Sequence, residues 1–538
     1  MRNLKHYVYI FLICLLAFFL RIYNLDKIPN SISADEAAFG YNSYSILRTG
    51  RDEFGLKYPL YLRSFDDYKN PLFAYALIPF IRVFGLNEWS IRLPSALLGT
   101  FTIPVFFGLS WILISKKRVA YYAAFLASIS PWLIQYSRVA IDTEIGLFLA
   151  VLGVWLFLLA RNKRVLYLLT AMVFGLAFYS YHADKFWIIL FGILILFINK
   201  VKINKYLIGG FLIFILMLYP YISLLTNFDV NLRPYAVSVF SNIENINTEL
   251  KLANFDINQN IIGANLIHNR RIVYFNEAVS GFLRVLNPEI YFSQNSYNQI
   301  SITRLFYLWE IPLILIGVLI SLKKRYLYLF LFSWLVIGFI PGGLTYFPPL
   351  DRRIFINSFP FILFSALGLN YIGCQYNIGL NKLINIFLVI IIMISFYIYL
   401  HNYFIHGQTL VTNVWGNGMK QLFFETLRET NKYRKVIVSI KLNQPLTFFL
   451  FYDKYTPEKY LADGGTISGG YLDERNKFDK YQFRIIRIHN LNLDYLYVWK
   501  DSENQPCLKS LKTIYMTDGT LLAHVGVYDP KLKECNIK

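Results

Sequence analysis

An adjacent acidic pair, Asp35 and Glu36, stands a few residues beyond the first long apolar run of the chain. A carboxylate within hydrogen-bond reach of a hydroxyl can act as a general base and deprotonate it for attack on an electrophile. The plainer role is helix capping, because Asp readily accepts the free N–H groups where a helix begins, here before Ala37. Residue type alone favours the cap for Asp35, so the choice between the two roles depends on context.

The composition of the chain is that of a membrane protein. Its 538 residues are 56% hydrophobic and only 16% charged, whereas a soluble domain carries about 25% charged residues. So few charges cannot cover a water-exposed surface, which excludes an ordinary cytosolic enzyme. An aromatic content of 18% also excludes a disordered chain, because such chains are poor in aromatic residues.

Long apolar runs supply the elements that must position the chemistry. A membrane-spanning helix needs about 20 mostly apolar residues, and by that measure we predict about eleven spans. They lie near residues 7–22, 95–114, 119–136, 143–160, 165–181, 186–198, 206–225, 302–322, 326–345, 354–373 and 383–400. The predicted fold is therefore a mainly α, polytopic membrane protein, with residues 1–400 as its membrane domain.

The loops between the predicted spans alternate in charge. Basic clusters, such as Lys116, Lys117 and Arg118, follow every second span. Because short cytoplasmic loops collect Lys and Arg, we predict a cytoplasmic N-terminus, an uncleaved first span and an external C-terminus. Much of the net charge of +20 then sets topology and contacts membrane lipids, and we expect no nucleic-acid partner.

Three large pieces fall on the external side of this topology: residues 23–94, 226–301 and 401–538. We predict that 401–538 forms an extracytoplasmic α/β domain, with a helix over 417–430 and strands over 435–441, 483–488, 495–499 and 523–528. The glycine clusters near 464 and 469 predict turns, since no Gly-Lys-Ser/Thr follows them. An oxidising compartment would permit a bridge between Cys507 and Cys535.

The residues after the acidic pair, 37–47, form a mildly amphipathic segment. Such a segment would lie along the lipid headgroups, with Phe39, Tyr41, Tyr44 and Leu47 as its anchors. This arrangement would hold the two carboxylates at the membrane surface.

Four short motifs stand in order within the first external loop. They are residues 29–41 (PNSISADEAAFGY), 47–59 (LRTGRDEFGLKYP), 68–72 (YKNPL) and 84–94 (FGLNEWSIRLP). In this order they resemble the opening loop of membrane glycosyltransferases with the GT-C fold, especially family 39, which includes protein O-mannosyltransferases and lipid A aminoarabinose transferases. With the span count, the resemblance covers roughly residues 1–400.

The resemblance implies a polyprenyl-phosphate-sugar-dependent glycosyltransferase, a hexosyl or pentosyl transferase of the cell envelope in a bacterial plasma membrane. The family's catalytic aspartate corresponds to Asp35, with Glu36 beside it to orient acceptor or sugar. The sugar would pass on the external face to a hydroxyl of a lipid, glycan or protein acceptor. One displacement by a base-activated hydroxyl inverts the anomeric centre and needs only one carboxylate as base.

The departing phosphate needs positive charge where its own charge develops. Candidate phosphate contacts at predicted external helix ends are Lys69, Arg138, Arg352 and Arg353. The resemblance favours Lys69 and the adjacent pair Arg352 and Arg353, while Arg138 rests on its position alone. Each of these side chains could instead extend toward lipid headgroups.

Other polar residues near these predicted ends are candidate substrate contacts: Tyr68, Asp142, Glu144, His182 and Lys185. Capping is the plainer role for the two acids, because acids stabilise a helix N-terminus. His182 and His268 lack the His-x-x-His or Cys-x-x-Cys spacing typical of metal sites. We therefore expect no required metal and no cofactor besides the lipid-linked sugar, which is a substrate.

A transporter or flippase of a lipid-linked sugar is the main alternative. It predicts ionisable residues buried in mid-span, and the predicted spans are nearly free of them, with Glu310 as the main exception. A non-catalytic assembly subunit is a third reading, against which the intact acidic pair argues. The sequence identifies neither the sugar nor the class of acceptor.

Overall fold

The computed structural model describes residues 2–65, 67–222, 237–241, 243–263, 267–293, 303–345, 350–373, 378–410, 415–470, 474–532 and 535. Helices dominate it, and the prediction of a mainly α protein is confirmed. The helices are Arg2–Ile22, Ala34–Thr49, Leu72–Phe84, Glu88–Ile114, Lys117–Ile129, Pro131–Ser137, Asp142–Leu159, Leu166–Phe178, His182–Ile198, Lys205–Ile222, Ile243–Asn258, Arg270–Leu286, Glu289–Phe292, Glu310–Leu322, Arg325–Gly343, Leu350–Arg353, Ser358–Ile372, Ile378–His401, Gly407–Leu410, Met419–Thr430, Pro445–Asp453 and Pro457–Ala462.

Among the described residues, seven helices are long and apolar enough to cross a membrane, and shorter apolar helices accompany them. Each predicted span contains a helix, so the chain is a multi-pass membrane protein. The predicted span 119–136 is divided, because Lys117–Ile129 ends at an extended Ser130 before Pro131. A residue before proline is disfavoured in the helical conformation, which explains the break. Leu72–Phe84 is an apolar helix that was not predicted.

The chain divides into two compact units. Unit 1 comprises Met1–Leu20, Leu98–Tyr136 and Asp142–Tyr399. Close helix packing in unit 1 depends on glycine: a Cβ on Gly317 would lie 2.0 Å from the carbonyl oxygen of Phe364, and one on Gly368 would lie 2.1 Å from that of Leu313. Small residues at such crossings let two helix backbones approach, as is common between membrane helices.

Unit 2 joins Arg21–Leu97 and Ser137–Ile141 to Leu400–Lys538. The helix Ala34–Thr49 packs on Pro445–Asp453, and a Cβ on Gly40 would lie 2.7 Å from the ring of Phe451. The predicted headgroup anchors Phe39 and Tyr41 are each 1% exposed. That prediction was wrong for these two residues, because their side of the helix is covered by protein.

The C-terminal segment of unit 2 carries a six-stranded sheet, which confirms the predicted sheet domain. Its strands are β3 (Lys435–Val438), β4 (Lys477–Phe478), β5 (Tyr481–Phe483), β6 (Tyr495–Lys500), β7 (Leu508–Tyr515) and β8 (Leu521–Tyr528), while β1 (Leu62–Ser64) and β2 (Asp67–Lys69) form a separate hairpin. The strand order is β4-β5-β3-β6-β8-β7, with β3 parallel to both its neighbours. Ile437, Tyr497 and Trp499 pack in its core.

The sequence did not predict β7. This strand is at the edge of the sheet, has four successive exposed residues, Lys509–Lys512, and contains a register shift after Ser510. Edge strands commonly carry lysines and bulges, which obscure the alternating pattern used to recognise strands. Cys507, just before β7, forms a disulfide with Cys535.

Candidate active site

The helix Ala34–Thr49 begins with a complete capping box. The hydroxyl of Ser33 accepts a hydrogen bond from the backbone N–H of Glu36, and the Glu36 carboxylate accepts one from the backbone N–H of Ser33. This reciprocal arrangement satisfies two backbone donors that a helix start otherwise leaves open. The residue that caps this helix is therefore Ser33, and the alternative role of Asp35 as the cap does not apply.

Glu36 points into a buried polar network within unit 2. Its side chain is 2% exposed and accepts hydrogen bonds from Arg92 Nε at 2.8 Å and from the backbone N–H of Ala140 at 2.9 Å. Arg92 also donates to the backbone carbonyls of Pro29 and Ser31. The sequence predicted an acceptor-orienting role for Glu36; in the structure its partners are groups of the protein that fix the loop preceding the helix.

Asp35, the neighbour of Glu36, is accessible to solvent instead of buried. Its side chain is 36% exposed and its Oδ1 lies 2.5 Å from Nζ of Lys69. The structure thus gives the two adjacent acids different environments: Glu36 is enclosed by protein donors, whereas Asp35 is reachable from solvent and paired with a cation. Only Asp35 has the access that a general base needs.

Lys69 ends β2 and is held tightly, since its side chain is only 4% exposed. Its ammonium lies 4.9 Å from the ring centre of Phe39 and 5.0 Å from that of Phe65. Aromatic faces stabilise a cation at such distances. An ammonium has three N–H donors, and one of them is directed to Asp35. The Asp35–Lys69 pair therefore combines an accessible base with a positioned positive charge.

Arg138 takes a structural position in unit 2. Its residue is 0% exposed, and its guanidinium donates to the carbonyl oxygens of Arg21, Tyr23 and Ile28. It also stacks 4.9 Å from the ring centre of Phe404. The sequence predicted a phosphate contact. In the structure the guanidinium instead donates to backbone carbonyls at the end of the first helix and in the loop that follows it, and these bonds hold the loop against the helix end.

A second polar cluster lies in unit 1, where several helices begin. Arg352 Nη2 donates to Oδ1 of Asp142 at 2.6 Å, and both residues are buried. Arg353 donates to the hydroxyl of Thr345 at 2.8 Å, and the ammonium of Lys185 lies 4.0 Å from the ring centre of Tyr221. Arg352, Arg353 and Lys185 thus contact protein groups within unit 1.

The remaining predicted contacts are placed as follows. Tyr68 lies in β2, with its ring edge-on to Tyr61 at 5.1 Å; Glu144 is buried in the first turn of Asp142–Leu159; His182 begins its helix. Their roles as substrate contacts stay predictions. Within the described ranges, no group of three His, Cys, Asp or Glu side chains is placed to hold a metal.

The sequence missed one acidic residue of this region, Glu53. Its carboxylate is buried and accepts hydrogen bonds from Asn42 Nδ2 and from the hydroxyl of Thr466, both at 2.8 Å. Burial raises the pKa of Glu53 from 4.5 to about 7. The charged neighbours Arg51 and Asp52 give no sign that Glu53 is buried, and the partner Thr466 lies too far along the chain to be anticipated.

Comparison with known proteins shows what this chain resembles in sequence and in fold. Residues 68–223, less than a third of the chain, match the family model described as dolichyl-phosphate-mannose-protein mannosyltransferase. No match is found among curated protein sequences. ArnT from Cupriavidus metallidurans in the apo state superposes with a TM-score of 0.55 at 12% identity, over 98% of each chain. Its complex with undecaprenyl phosphate gives 0.54 at 11% identity, over 97% of this chain and 98% of ArnT.

The Archaeoglobus fulgidus oligosaccharyltransferase, tethered to an acceptor peptide, superposes with a TM-score of 0.52 at 14% identity. The superposition covers 83% of this chain but only 63% of the archaeal protein. At such identities a structural match shows a shared fold. The chain therefore has the fold of the GT-C glycosyltransferases, and with the family-model match it resembles glycosyltransferase family 39, as the first-loop motifs predicted.

Proposed function

We propose that this protein is an integral membrane glycosyltransferase that moves a sugar from a polyprenyl-phosphate carrier to a hydroxyl acceptor on the external face. The observation that carries the proposal is the Asp35–Lys69 pair, in which a partly exposed carboxylate lies 2.5 Å from a buried ammonium. A transfer of this kind needs both groups: a base for the acceptor hydroxyl and a cation for the departing phosphate.

In the proposed reaction the Asp35 carboxylate takes the proton of the acceptor hydroxyl. The hydroxyl oxygen forms a bond to the anomeric carbon while the bond between that carbon and the phosphate oxygen breaks. The electron pair leaves with the phosphate, and the products are the inverted glycoside and polyprenyl phosphate. Asp35 then loses its proton to water, which its exposure permits.

The pairing of Asp35 with Lys69 suggests how donor binding would prepare the base. A phosphate beside Lys69 would share the positive charge that is paired with Asp35 in the structure. The carboxylate would then hold a proton more readily, and it would be freed to receive the acceptor hydroxyl. Lys69 has further N–H donors for the phosphate oxygens, and its aromatic neighbours keep it in place.

A lipid-linked donor is supported by the similarity to ArnT, which is known in complex with undecaprenyl phosphate. The proposal extends that carrier class to this chain and leaves the sugar open. The roles of Arg352 and Arg353 as additional phosphate contacts stay predictions. Glu36 and Arg92 serve as positioning residues, because they fix the loop and the helix start that carry Asp35.

The test is transfer by purified protein in proteoliposomes supplied with labelled undecaprenyl-phosphate monosaccharides and cell-envelope acceptor fractions. We expect release of undecaprenyl phosphate together with labelled, inverted product. Asp35→Asn should slow both about 10²- to 10⁴-fold, whereas Asp26→Asn, the same change at an exposed position of the same loop, should leave both at the wild-type rate. Movement of intact donor across the bilayer without release would contradict the proposal and favour a flippase.

A further inference from the structure

A pocket in unit 1 lies where several helices end or begin. Three helices end there and two begin there: Glu88–Ile114, Glu310–Leu322 and Ser358–Ile372, then Lys117–Ile129 and Arg325–Gly343. All of its lining residues belong to unit 1. Its volume is about 120 Å³, room for roughly eight waters at about 15 Å³ each. A phosphate group fits in this space, whereas a whole lipid does not.

The pocket lies at the opposite end of Arg325–Gly343 from the second polar cluster. Lys324 precedes this helix and lines the pocket, whereas Thr345, which accepts a hydrogen bond from Arg353, follows the helix. A helix of 19 residues is about 28 Å long, close to the roughly 30 Å of a bilayer's hydrocarbon core. The pocket therefore faces the headgroups of the leaflet opposite to Arg353, which in the predicted topology is the cytoplasmic leaflet.

Two lysines give the pocket its charge. Lys116 and Lys324 both line it and are both exposed, and the described lining contains no acid. Asn370 and Tyr371 add an amide and a phenol that can donate hydrogen bonds. Because phosphate oxygens accept from ammonium groups and from neutral donors alike, this set of groups is complementary to a phosphate.

The apolar surface at the pocket favours a lipid over a soluble anion. The helix Glu310–Leu322 contributes Ile320 to the lining, and its Leu315, Leu319 and Leu322 form an exposed row. Residues at this spacing share one face of a helix. Acyl chains can lie along this row while the phosphate of the same lipid enters the pocket.

The apolar wall of the pocket is fixed by close helix packing. Ile320 and Leu367 belong to two helices whose backbones touch at Gly317 and Gly368, because a Cβ at either glycine would collide with a carbonyl oxygen of the other helix. The two side chains therefore keep a set separation. A wall that is already in place lowers the entropic cost of binding.

Each lysine of the pocket has a neighbour of the same charge that does not line it. Lys117 follows Lys116, and Lys323 precedes Lys324. Nζ of Lys117 lies 4.9 Å from the ring centre of Trp111. The two lysine pairs occupy the same two loops, so they separate binding in the pocket from the general attraction between basic loops and anionic lipids.

From the cavity, its two lysines and its apolar wall, we propose that this pocket binds the headgroup phosphate of an anionic phospholipid in the leaflet that faces these loops. The ammonium groups of Lys116 and Lys324 contact the phosphate oxygens, and Asn370 and Tyr371 donate to the same group. Phosphatidylcholine binds less well, because the lysines repel its quaternary ammonium. The inference does not depend on the proposed transfer reaction.

The test is native mass spectrometry of the purified full chain, released from detergent micelles that contain phosphatidylglycerol or phosphatidylcholine. We expect the chain to retain phosphatidylglycerol in preference. The double variant Lys116→Gln and Lys324→Gln should bind phosphatidylglycerol about 25-fold more weakly, since each lysine beside an anionic headgroup is worth about fivefold. The double variant Lys117→Gln and Lys323→Gln loses the same charge from the same loops and should keep the wild-type affinity.

Thermal unfolding of the same proteins supplies a second measurement. Lys116 and Lys324 are exposed, so without anionic lipid their double variant should melt at the wild-type temperature. Added phosphatidylglycerol should raise the melting temperature of wild type and of the Lys117 and Lys323 double variant, as a ligand of the folded state does, but not that of the pocket variant. Equal loss of phosphatidylglycerol binding in both double variants, or equal retention of phosphatidylcholine by wild type, would overturn the proposal.

Two competitors distinguish the possible sources of the phosphate. Inorganic phosphate should not displace phosphatidylglycerol, because it has no acyl chains to bind the apolar surface; displacement would indicate a site for a soluble anion and overturn the proposal. Preference for undecaprenyl phosphate over phosphatidylglycerol would indicate a site for the carrier lipid and would also overturn it. Phosphatidylglycerol binding can be measured on a chain that transfers no sugar, so failure of this inference is distinguishable from failure of the proposed function.

Discussion

Two neighbouring carboxylates of this protein should respond in opposite ways to the same substitution. Asp35→Asn and Glu36→Gln each replace one carboxylate oxygen by an amide nitrogen with little change in shape. Asp35 is 36% exposed, whereas Glu36 is 2% exposed and receives hydrogen bonds from Arg92 and two backbone N–H groups. The amide at position 36 would place a donor against these donors, while the amide at position 35 can reorient toward solvent.

The size of each effect follows from burial. Removing the charge of Glu36 leaves the guanidinium of Arg92 buried without its counter-ion, and such a loss costs about 3–5 kcal/mol. Arg92 still donates to the carbonyl oxygens of Leu25, Pro29 and Ser31, so we expect a value near the lower limit, about 3 kcal/mol. Asp35 is 36% exposed, and Asn in its place keeps an amide oxygen that can accept from the buried Lys69 ammonium, so we expect a smaller cost, about 1 kcal/mol.

The assay is thermal unfolding of the purified variants in one detergent, paired with transfer activity per amount of folded protein. At about 2.1 cal/mol/K of unfolding entropy per residue, a loss of about 3 kcal/mol lowers the melting temperature of this 538-residue chain by roughly 3 °C. We expect this decrease for Glu36→Gln, with activity retained in the fraction that stays folded. Asp35→Asn should unfold near the wild-type temperature, with activity lowered about 10²- to 10⁴-fold, as expected for loss of a general base.

The opposite pattern would refute this reasoning. A Glu36→Gln variant that unfolds at the wild-type temperature would show that the carboxylate does not hold Arg92 and the helix start. An Asp35→Asn variant as unstable as Glu36→Gln would indicate that Asp35 is structural, and its loss of activity would then say nothing about proton transfer.

Three further changes should have defined results. Lys69→Met should lower kcat about 10²- to 10³-fold, the usual effect of removing one stabilising group from a developing negative charge; wild-type kcat in steady-state kinetics would exclude Lys69 from phosphate stabilisation. Because the folded pKa of Glu53 is raised from 4.5 to about 7, its contribution to stability is full below pH 4.5 and is lost as pH rises through 7. Glu53→Gln should remove a fall of order 3 kcal/mol in the unfolding free energy across that window, and identical pH–stability curves for variant and wild type would contradict the assignment. Paired Cys507→Ser and Cys535→Ser should lower the unfolding free energy by about 2–4 kcal/mol, since the bridge closes a loop of chain; non-reduced wild type in which both thiols react with maleimide would show that no bridge exists.

The parts of the fold that sequence predicts best are those set by local pattern. Apolar length placed a helix in every predicted span, because a segment that crosses lipid must satisfy its own backbone hydrogen bonds. Strand β6 was predicted almost to the residue from its dense β-branched and aromatic run. Pro131 explains the break within the predicted span 119–136. The sequence analysis nevertheless treated this span as one helix and did not predict its division into Lys117–Ile129 and Pro131–Ser137.

The parts that sequence could not supply depend on contacts between distant residues. Asp35 was singled out by residue type, position and family resemblance, but its partner Lys69 was assigned only to phosphate. Nothing local indicates that Glu36 meets Arg92, or that Glu53 meets Thr466 far along the chain. Arg138 looked like a cation at a helix end, and only the folded chain shows backbone carbonyls around it.

The most direct measurement of proton abstraction by Asp35 is a single-turnover experiment with donor already bound. Wild type and Asp35→Asn are loaded with labelled undecaprenyl-phosphate sugar, mixed with acceptor and quenched at intervals. If Asp35 is the base, the variant binds donor with wild-type affinity but releases undecaprenyl phosphate about 10²- to 10⁴-fold more slowly. Release at the wild-type rate by Asp35→Asn would show that the proton leaves the acceptor by another route.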